Sequence, residues 1–350
     1  MTVQSRARQA IAIGIGGLSG ALAWWIGLPL PWLLGAMVGT MIASVGGAPI
    51  RGPNRLRPFV VPVIGVMLGS AVTSDILSEL LTFGPALLLL PPFLIVTAAL
   101  SFLVYRRLAG MDAVTAYYAA MPGGLNDMML LGEAAGGNGR RIALAHATRI
   151  FVVITFVVLF YGIVLDVGAG AEGSRRPHVP LAALSPMDWL VLAGCAVLGA
   201  QMGRRIGLPA PEIFGSMILS GVAHATGLVL TAPPTILVVG AQIVMGTIIG
   251  CRFLGVSVRE IGRDMTIGVV SSVAMMAVAL GMATLLSRMT GDPLSLSFLV
   301  LSPGGLTEMS LLAFAMGQDV VYVTALHIIR ITLVIALASP IFKWIARRGL

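Results

Sequence analysis

Long apolar runs separated by short polar loops fill the chain from beginning to end. Most runs have 17–23 residues, and an α-helix needs about 20 to cross a bilayer. The pattern therefore predicts an all-α integral membrane protein with ten to twelve transmembrane helices. The apolar runs lie at about 9–27, 31–47, 58–74, 84–105, 113–137, 142–165, 188–203, 211–227, 235–251, 265–286, 294–318 and 320–342.

The second half of the sequence repeats the first. MPGGLNDMMLLGE at 121–133 matches SPGGLTEMSLLAF at 302–314, and AHATRI at 145–150 matches LHIIRI at 326–331, both at an offset of 181 residues. IGLPLPWLLGAMV from Ile26 matches IGLPAPEIFGSMI from Ile206 at an offset of 180. We predict membrane repeat 1 at 1–165, a polar linker at 166–187 and membrane repeat 2 at 188–350.

Composition and charge exclude several classes of protein. Only 10% of the residues are charged and 57% are hydrophobic, whereas about 25% are charged in an average soluble domain. The net charge of +8 resides mainly in short loops, where it orients a membrane protein, so no nucleic-acid partner is expected. We find no metal-ligand spacing, nucleotide loop or catalytic motif. We therefore expect no enzyme activity, no metal and no cofactor.

The loop charges favour one of two topologies. If all twelve runs cross, the 20 basic loop residues divide 13 to 7 and the repeats are parallel. If the PGG segments enter and leave on the same face, they divide 17 to 3, with only Arg175, Arg176 and Arg288 outside. Because basic loops stay in the cytoplasm, we predict ten crossing helices, two re-entrant hairpins, inverted repeats and cytoplasmic termini. A discontinuous helix that crosses the membrane remains the alternative.

Two arginines lie inside apolar runs, unlike the other 20 basic residues. Arg149 and Arg330 are repeat mates, and a cation at membrane depth costs about 2.5–3.5 kcal/mol on insertion scales. We expect anionic partners just beyond the PGG breaks, and a role in proton or ion coupling for the acids and for the histidines three residues before each arginine. These candidates are Asp127, His146, Glu308 and His327. The structural alternative is a pair of salt bridges that lock two helices together.

The PGG segments predict broken helices. Proline removes a backbone donor and glycine allows a change of direction, and such backbone survives at membrane depth only inside protein or beside a cavity. Helix starts after a break present N–H groups to anions. A single break could be a plain kink, but two with the same neighbours favour a binding site. We predict a substrate site formed by Gly123, Gly124, Asn126, Arg149, Gly304, Gly305, Thr307 and Arg330.

The paired PGGLN-D-M and PGGLT-E-M segments, each followed by H-x-x-R, resemble the AbrB-like family of bacterial membrane proteins. The resemblance covers nearly the whole chain and implies a duplicated membrane domain. Family members carry labels such as regulator of gene expression or ammonia monooxygenase. The plan of the halves is also similar to inverted-repeat transporters, namely the 2-hydroxycarboxylate transporters and the antiporter and bile-acid symporter group.

These observations predict a multi-pass protein of the bacterial cytoplasmic (inner) membrane. Its expected function is secondary transport of a small anionic or zwitterionic metabolite through a midplane site between two inverted repeats. The expected partners are the lipid bilayer, the small-molecule substrate with H+ or Na+, and a second copy in a homodimer. The alternative is a membrane regulator or sensor that affects gene expression through a partner protein.

Overall fold

A computed structural model describes residues 3–28, 30–72, 83–160, 179–208, 210–255 and 258–347. Within these ranges the regular structure is entirely helical. The α-helices are α1 (Val3–Trp25), α2 (Pro31–Val45), α3 (Arg57–Gly69), α4 (Gly84–Arg107), α5 (Ala113–Ala120), α6 (Leu125–Ala134), α7 (Gly139–Leu159), α8 (Pro186–Ile206), α9 (Pro211–Ala225), α10 (Thr235–Gly250), α11 (Val258–Thr290), α12 (Leu294–Leu301), α13 (Leu306–Ala315) and α14 (Val320–Ala346).

The helices confirm the predicted all-α fold, and the two PGG runs are each split into two helices. Four stretches of the described chain are long and apolar enough to cross a bilayer: Gly84–Arg107, Thr235–Phe253, Arg263–Thr290 and Val320–Ala346. This composition fits a membrane protein. The count of ten to twelve crossings stays a prediction. The predicted linker, 166–187, lies outside the described residues as far as residue 178.

The helices of the two repeats correspond one to one, α1 with α8 through α7 with α14. Even an unusual backbone conformation is repeated. Leu30 and Ala210, which precede the first proline of α2 and α9, have φ angles of 48° and 47°. Side chains rarely occupy this left-handed region, so its presence at equivalent positions shows that the repeats share their local folding.

The chain divides into two compact units, and these do not coincide with the sequence repeats. Unit one contains Met1–Leu77, Val167–Val256 and Ser310–Val321. Unit two contains Ser78–Asp166, Ser257–Met309 and Tyr322–Leu350. Unit one thus holds the first three helices of each repeat, and unit two holds most of the last four. Each unit is therefore assembled from equivalent parts of both halves.

Unit one is held together by glycines that bring helices into close contact. A Cβ atom on Gly65 of α3 would collide with the carbonyl of Ile213 in α9, and one on Gly246 of α10 would collide with the carbonyl of Leu33 in α2. The third helix of each repeat thus packs on the second helix of the other repeat. Small residues at such contacts are typical of membrane helix packing, because dispersion forces drive the association in lipid.

In unit two, helices of one repeat also pack against helices of the other repeat. Repeat mates α4 and α11 pack against each other, and α11 also packs on α7. On α5, Tyr117 contacts Phe342 of α14 with ring centroids 5.2 Å apart. At the equivalent position on α12, Phe298 contacts Phe160 beside the end of α7, at 4.8 Å. The helix before each break therefore packs on the last helix of the other repeat.

Candidate functional site

The first broken segment folds back on itself as a hairpin of α5 and α6. The backbone amide of Asn138 donates to the Thr115 hydroxyl oxygen at 2.8 Å, so the chain just beyond α6 lies beside the start of α5. A Cβ on Gly132 in α6 would lie 3.2 Å from the Cβ of Tyr118 in α5. The two helices therefore run antiparallel, with the PGG segment at the tip.

The glycines at the breaks have negative φ angles, and side chains of the following helix lie in the space beside them. Gly124 has φ −66° and ψ 136°, which any residue can adopt. A Cβ there would collide with the carboxylate of Asp127, and one on Gly305 would collide with the carboxylate of Glu308. A Cβ on Gly304 would lie 2.6 Å from the Met309 side chain. Any other residue at these positions would therefore force side chains of the following helix to move.

Arg149 braces the first break from α7. Its Nη1 donates to the carbonyl of Met121 at 3.0 Å, and its Nη2 donates to the carbonyl of Gly123 at 3.3 Å. Because α5 ends at Ala120, these carbonyls follow the end of a helix and need donors from elsewhere. Only 5% of the Arg149 surface is exposed. The arginine therefore satisfies broken backbone inside the protein.

Arg330 makes the same pair of bonds at the second break. Its Nη1 donates to the carbonyl of Ser302 and its Nη2 to the carbonyl of Gly304, the repeat mates of Met121 and Gly123. Arg330 is 2% exposed, and its Nε is buried without a hydrogen-bond partner among the described residues. The break and its arginine thus form one structural unit that occurs twice.

The partners of the two guanidinium groups differ from those expected from sequence. The sequence predicts carboxylates, whereas the described hydrogen bonds of Arg149 and Arg330 go to uncharged carbonyls and to a histidine. Within the described chain neither forms an ion pair with a carboxylate. A buried cation that has no carboxylate partner in the described chain is unfavourable, so the surroundings of each guanidinium group suit an anion.

His146 is held by hydrogen bonds at both ring nitrogens. Arg149 Nη2 donates to its Nδ1 at 2.6 Å, and its Nε2 lies 3.0 Å from the carbonyl oxygen of Tyr118. Since arginine is always a donor, the network assigns the ring proton to Nε2, which donates to the carbonyl.

His327 uses the other ring nitrogen, although it is the repeat mate of His146. Its Nδ1 lies 2.9 Å from the carbonyl oxygen of Val323, one helical turn earlier, and this network places the proton on Nδ1. Its Nε2 is buried and has no hydrogen-bond partner among the described residues. The two histidines are therefore equivalent in sequence but differ in hydrogen bonding.

The two acids lie at the first turns of α6 and α13. Asp127 and Glu308 each fold back against the glycine that precedes their helix, where a carboxylate interacts favourably with the positive end of the helix dipole. Glu308 is 8% exposed, whereas Asp127 is exposed. Thr307 is the second residue of α13 and half-buried. Asn126 is the second residue of α6, and its side chain lies outside the described part of the structure.

The start of α5 lies beside the beginning of α7 and beside the last part of α14. Thr115 of α5 bonds to Asn138, immediately before α7. Two residues along α5, the Tyr117 hydroxyl donates to the carbonyl of Ala338, in the last part of α14, at 2.9 Å. The beginning of α7 and the end of α14 therefore lie at the same end of unit two. These repeat mates point in opposite directions.

A polar cluster at this end of unit two joins α4, α7 and α11, and sequence reasoning missed it. Arg141 forms a bidentate ion pair with Asp264, both bonds at 2.9 Å, and its Nη2 also donates to the carbonyl of Ala109. Arg263 donates to the carbonyl of Leu108. The chain has only 14 acidic residues. The acidic residue at 264, close in sequence to loop arginines, was the feature from which an ion pair could have been predicted.

The arrangement of His, Cys, Asp and Glu side chains among the described residues does not support a metal centre. No group of three or more His, Cys, Asp or Glu side chains comes together in the part of the chain that the structure describes. Cys195 and Cys251 are both buried free thiols.

Comparison with known proteins identifies the family. Residues 32–346 match the family described as "Transition state regulatory protein AbrB", so the chain belongs to the AbrB family. It is 27% identical to "Uncharacterized protein YhjN" of Bacillus subtilis (strain 168), covering 95% of this chain and 91% of that protein. It is 23% identical to "Putative regulator AbrB" of Escherichia coli (strain K12), covering 91% of each. These names describe a regulator or leave the function open, and none describes an enzyme.

Proposed function

We propose that this AbrB-family protein is a secondary transporter of a small anionic or zwitterionic metabolite in the bacterial cytoplasmic membrane. One observation carries the proposal. The two repeats contribute Arg149 and Arg330 to the same compact unit, where both are buried and their described hydrogen bonds go to backbone carbonyls and, for Arg149, to a histidine. An anion bound at these guanidinium groups would supply a counterion that the described residues do not provide.

The proposed topology has ten crossing helices, two re-entrant hairpins and both termini in the cytoplasm. The antiparallel pairing of α5 with α6 supports re-entrance of the first hairpin, since its two outer ends are bonded through Thr115 and Asn138. The opposite directions of α7 and α14 support inverted repeats. The contacts of Arg141 and Arg263 with the loop after α4 support a common face for these basic positions, in agreement with the bias of the loop charges.

Binding would use the helix starts behind the breaks. The N–H groups at the beginning of α6 and α13 suit an anion, and in this structure Asp127 and Glu308 occupy that position. These carboxylates stand in for the anionic group of a substrate. Protonation of either acid, or its pairing with Na+, would free the helix start for the substrate. Uptake of the anion would thereby be coupled to H+ or Na+.

The proposed substrate site comprises two symmetrical sets of groups. Each set has an arginine, two glycines with the adjacent helix start, and one polar side chain. Arg149 and Arg330 hold the anionic charge. The substrate-binding residues are Gly123, Gly124, Asn126, Arg149, Gly304, Gly305, Thr307 and Arg330; the coupling residues are Asp127, His146, Glu308 and His327.

A ligand screen on the purified protein tests this function. Thermal unfolding is measured in detergent with small carboxylates, amino acids and amines, followed by uptake of any stabilising compound into proteoliposomes. We expect one class of anion or zwitterion to stabilise the wild type and to enter proteoliposomes. Glu308→Gln should bind that compound more tightly at neutral pH, because the competing carboxylate is neutralised. Stabilisation by amines alone would overturn the anion assignment.

A membrane regulator is the second candidate, favoured by the names of the family and of the Escherichia coli relative. In this case a ligand would bind in the same unit and the signal would pass to a partner protein. Arg149→Ala with Arg330→Ala separates the two. A transporter should lose uptake, whereas a regulator should keep its contact with the partner and show no uptake even as wild type. A homodimer is proposed for either function.

A further inference from the structure

Unit two contains an apolar groove of about 520 Å³ between α4, α5 and α14. Its lining includes Ile95 and Leu337, which are 69% and 48% exposed, so the groove is open on one side. At its inner wall lie Met121 and Pro122 of the first break. A cavity of this volume is large enough for a ligand of drug size.

The chemistry of the lining restricts the occupant to hydrocarbon. Tyr117 is the one lining side chain with a polar atom, and its hydroxyl already donates to the carbonyl of Ala338. A polar ligand placed there would lose its hydrogen bonds to water without replacement. In a protein that spans a bilayer, an open groove of this kind faces acyl chains.

The end of the groove adds a positive charge. On α4 the lining face runs through Ala98 and Phe102, and Arg106 follows one turn later on the same face. Arg106 is exposed and anchored by a bond from its Nη1 to the carbonyl of Met111 at 2.8 Å. On α14 the exposed Trp344 lies beside the lining residue Ile345, and tryptophan favours the membrane interface.

We propose that this groove binds one anionic phospholipid, with an acyl chain between α4 and α14 and its phosphate at Arg106. Basic groups at the cytoplasmic ends of membrane helices recognise such headgroups. The acyl chain packs against Met121 and Pro122, and Arg149 donates to the carbonyl of Met121. The lipid therefore stabilises the first break in the state seen here. This site is separate from the proposed substrate site.

Native mass spectrometry of the detergent-purified protein tests the acyl-chain part. The protein is mixed with dioleoyl phosphatidylglycerol, and retained lipids are counted. Wild type should retain one molecule. Ala99→Phe fills the groove from its exposed lining position and should abolish retention. Val96→Phe, on the same helix but outside the lining, is the matched control and should retain the lipid. Equal retention by both variants would overturn the proposal.

Competition between lipids with identical chains tests the headgroup part. Wild type should prefer dioleoyl phosphatidylglycerol over dioleoyl phosphatidylcholine by about fivefold, as expected for one basic residue near the surface. Arg106→Gln should remove this preference, whereas Arg107→Gln, on a different face of α4, should keep it. Thermal unfolding of each variant checks that it is folded. A wild type without preference, or an Arg106→Gln variant that keeps it, would overturn the proposed phosphate contact.

Discussion

The backbone amide of Asn138 donates to the Thr115 hydroxyl across 2.8 Å, so the end of one hairpin arm is tied to the beginning of the other. If this hairpin lies in the membrane, both of its outer ends are on the same face. The repeat mates α7 and α14 then run in opposite directions, and the C-terminus lies on the face that carries Asn138.

The first prediction therefore concerns topology. A cysteine at Asn138 and one at Arg347 should react with an impermeant maleimide only when it is added from the cytoplasmic side. A cysteine at Gly291, in the loop after α11, should react only from outside. Cys195 and Cys251 are buried and are replaced by alanine to remove background. Labelling of position 138 from outside would support a crossing broken helix instead.

The second prediction concerns the glycine before α13. Gly305→Ala places a Cβ against the Glu308 carboxylate, so this buried side chain must shift, at a cost of about 1 kcal/mol, the lower end of the overpacking range. We expect a lower unfolding temperature in detergent. Combining it with Glu308→Ala should restore most of the loss. Gly281→Ala is the matched control, since nothing lies within 4 Å of its Cβ position in α11, and it should be neutral or stabilising. Equal stability of Gly305→Ala and Gly281→Ala would contradict the packing described here.

The third prediction concerns the brace at the second break. Arg330→Lys keeps the charge but loses the planar pair of donors that spans the carbonyls of Ser302 and Gly304. The loss should be roughly 2 kcal/mol, typical of hydrogen bonds from a charged group, measured by thermal unfolding. Arg288→Lys, in the last turn of α11, should have little effect. If both variants unfold at the same temperature, Arg330 does not brace the break.

The fourth prediction concerns pH and the start of the first hairpin. Asp112 caps α5 by accepting from the amide of Thr115 at 2.9 Å. Partial burial raises the pKa of its carboxyl, but hydrogen bonds from Thr115 outweigh this and leave the pKa below its ordinary value. A depressed folded-state pKa means that the stabilisation is complete above the unfolded-state pKa of about 3.9 and is lost as pH falls through the folded-state value.

Asp112→Asn tests this directly. Asparagine caps about as well as aspartate but does not titrate, so the variant should match wild type at neutral pH and lose less stability between about pH 5 and pH 3. Asp112→Ala should lose about 1 kcal/mol at neutral pH. Thermal unfolding across this pH range provides the measurement. Parallel curves for wild type and Asp112→Asn would show that other groups control the acid response.

The sequence by itself determined the helical fold, the boundaries of most helices and the duplication. Apolar runs of bilayer length predict helices, and proline and glycine restrict or free the backbone next to them. Similar sequence at offsets of 180 and 181 residues produces similar local structure. The repeated φ values of Leu30 and Ala210 follow from that local equality. The sequence also identified Arg149 and Arg330 as unusual, because the free-energy cost of a cation in lipid depends on its depth and their position within the apolar runs indicates that depth.

Only the tertiary structure decided what these residues contact. Asp127 and Glu308 fold over the starts of their own helices. Arg149 and Arg330 donate to the carbonyls exposed at the breaks, because these carbonyls lie nearest and a buried carbonyl without a donor is costly. His146 and His327 have the same sequence context but different hydrogen bonds. The ion pair of Arg141 with Asp264 joins residues 123 positions apart. Such contacts depend on how helices that are distant in sequence pack together, and residue spacing along the chain does not predict that packing.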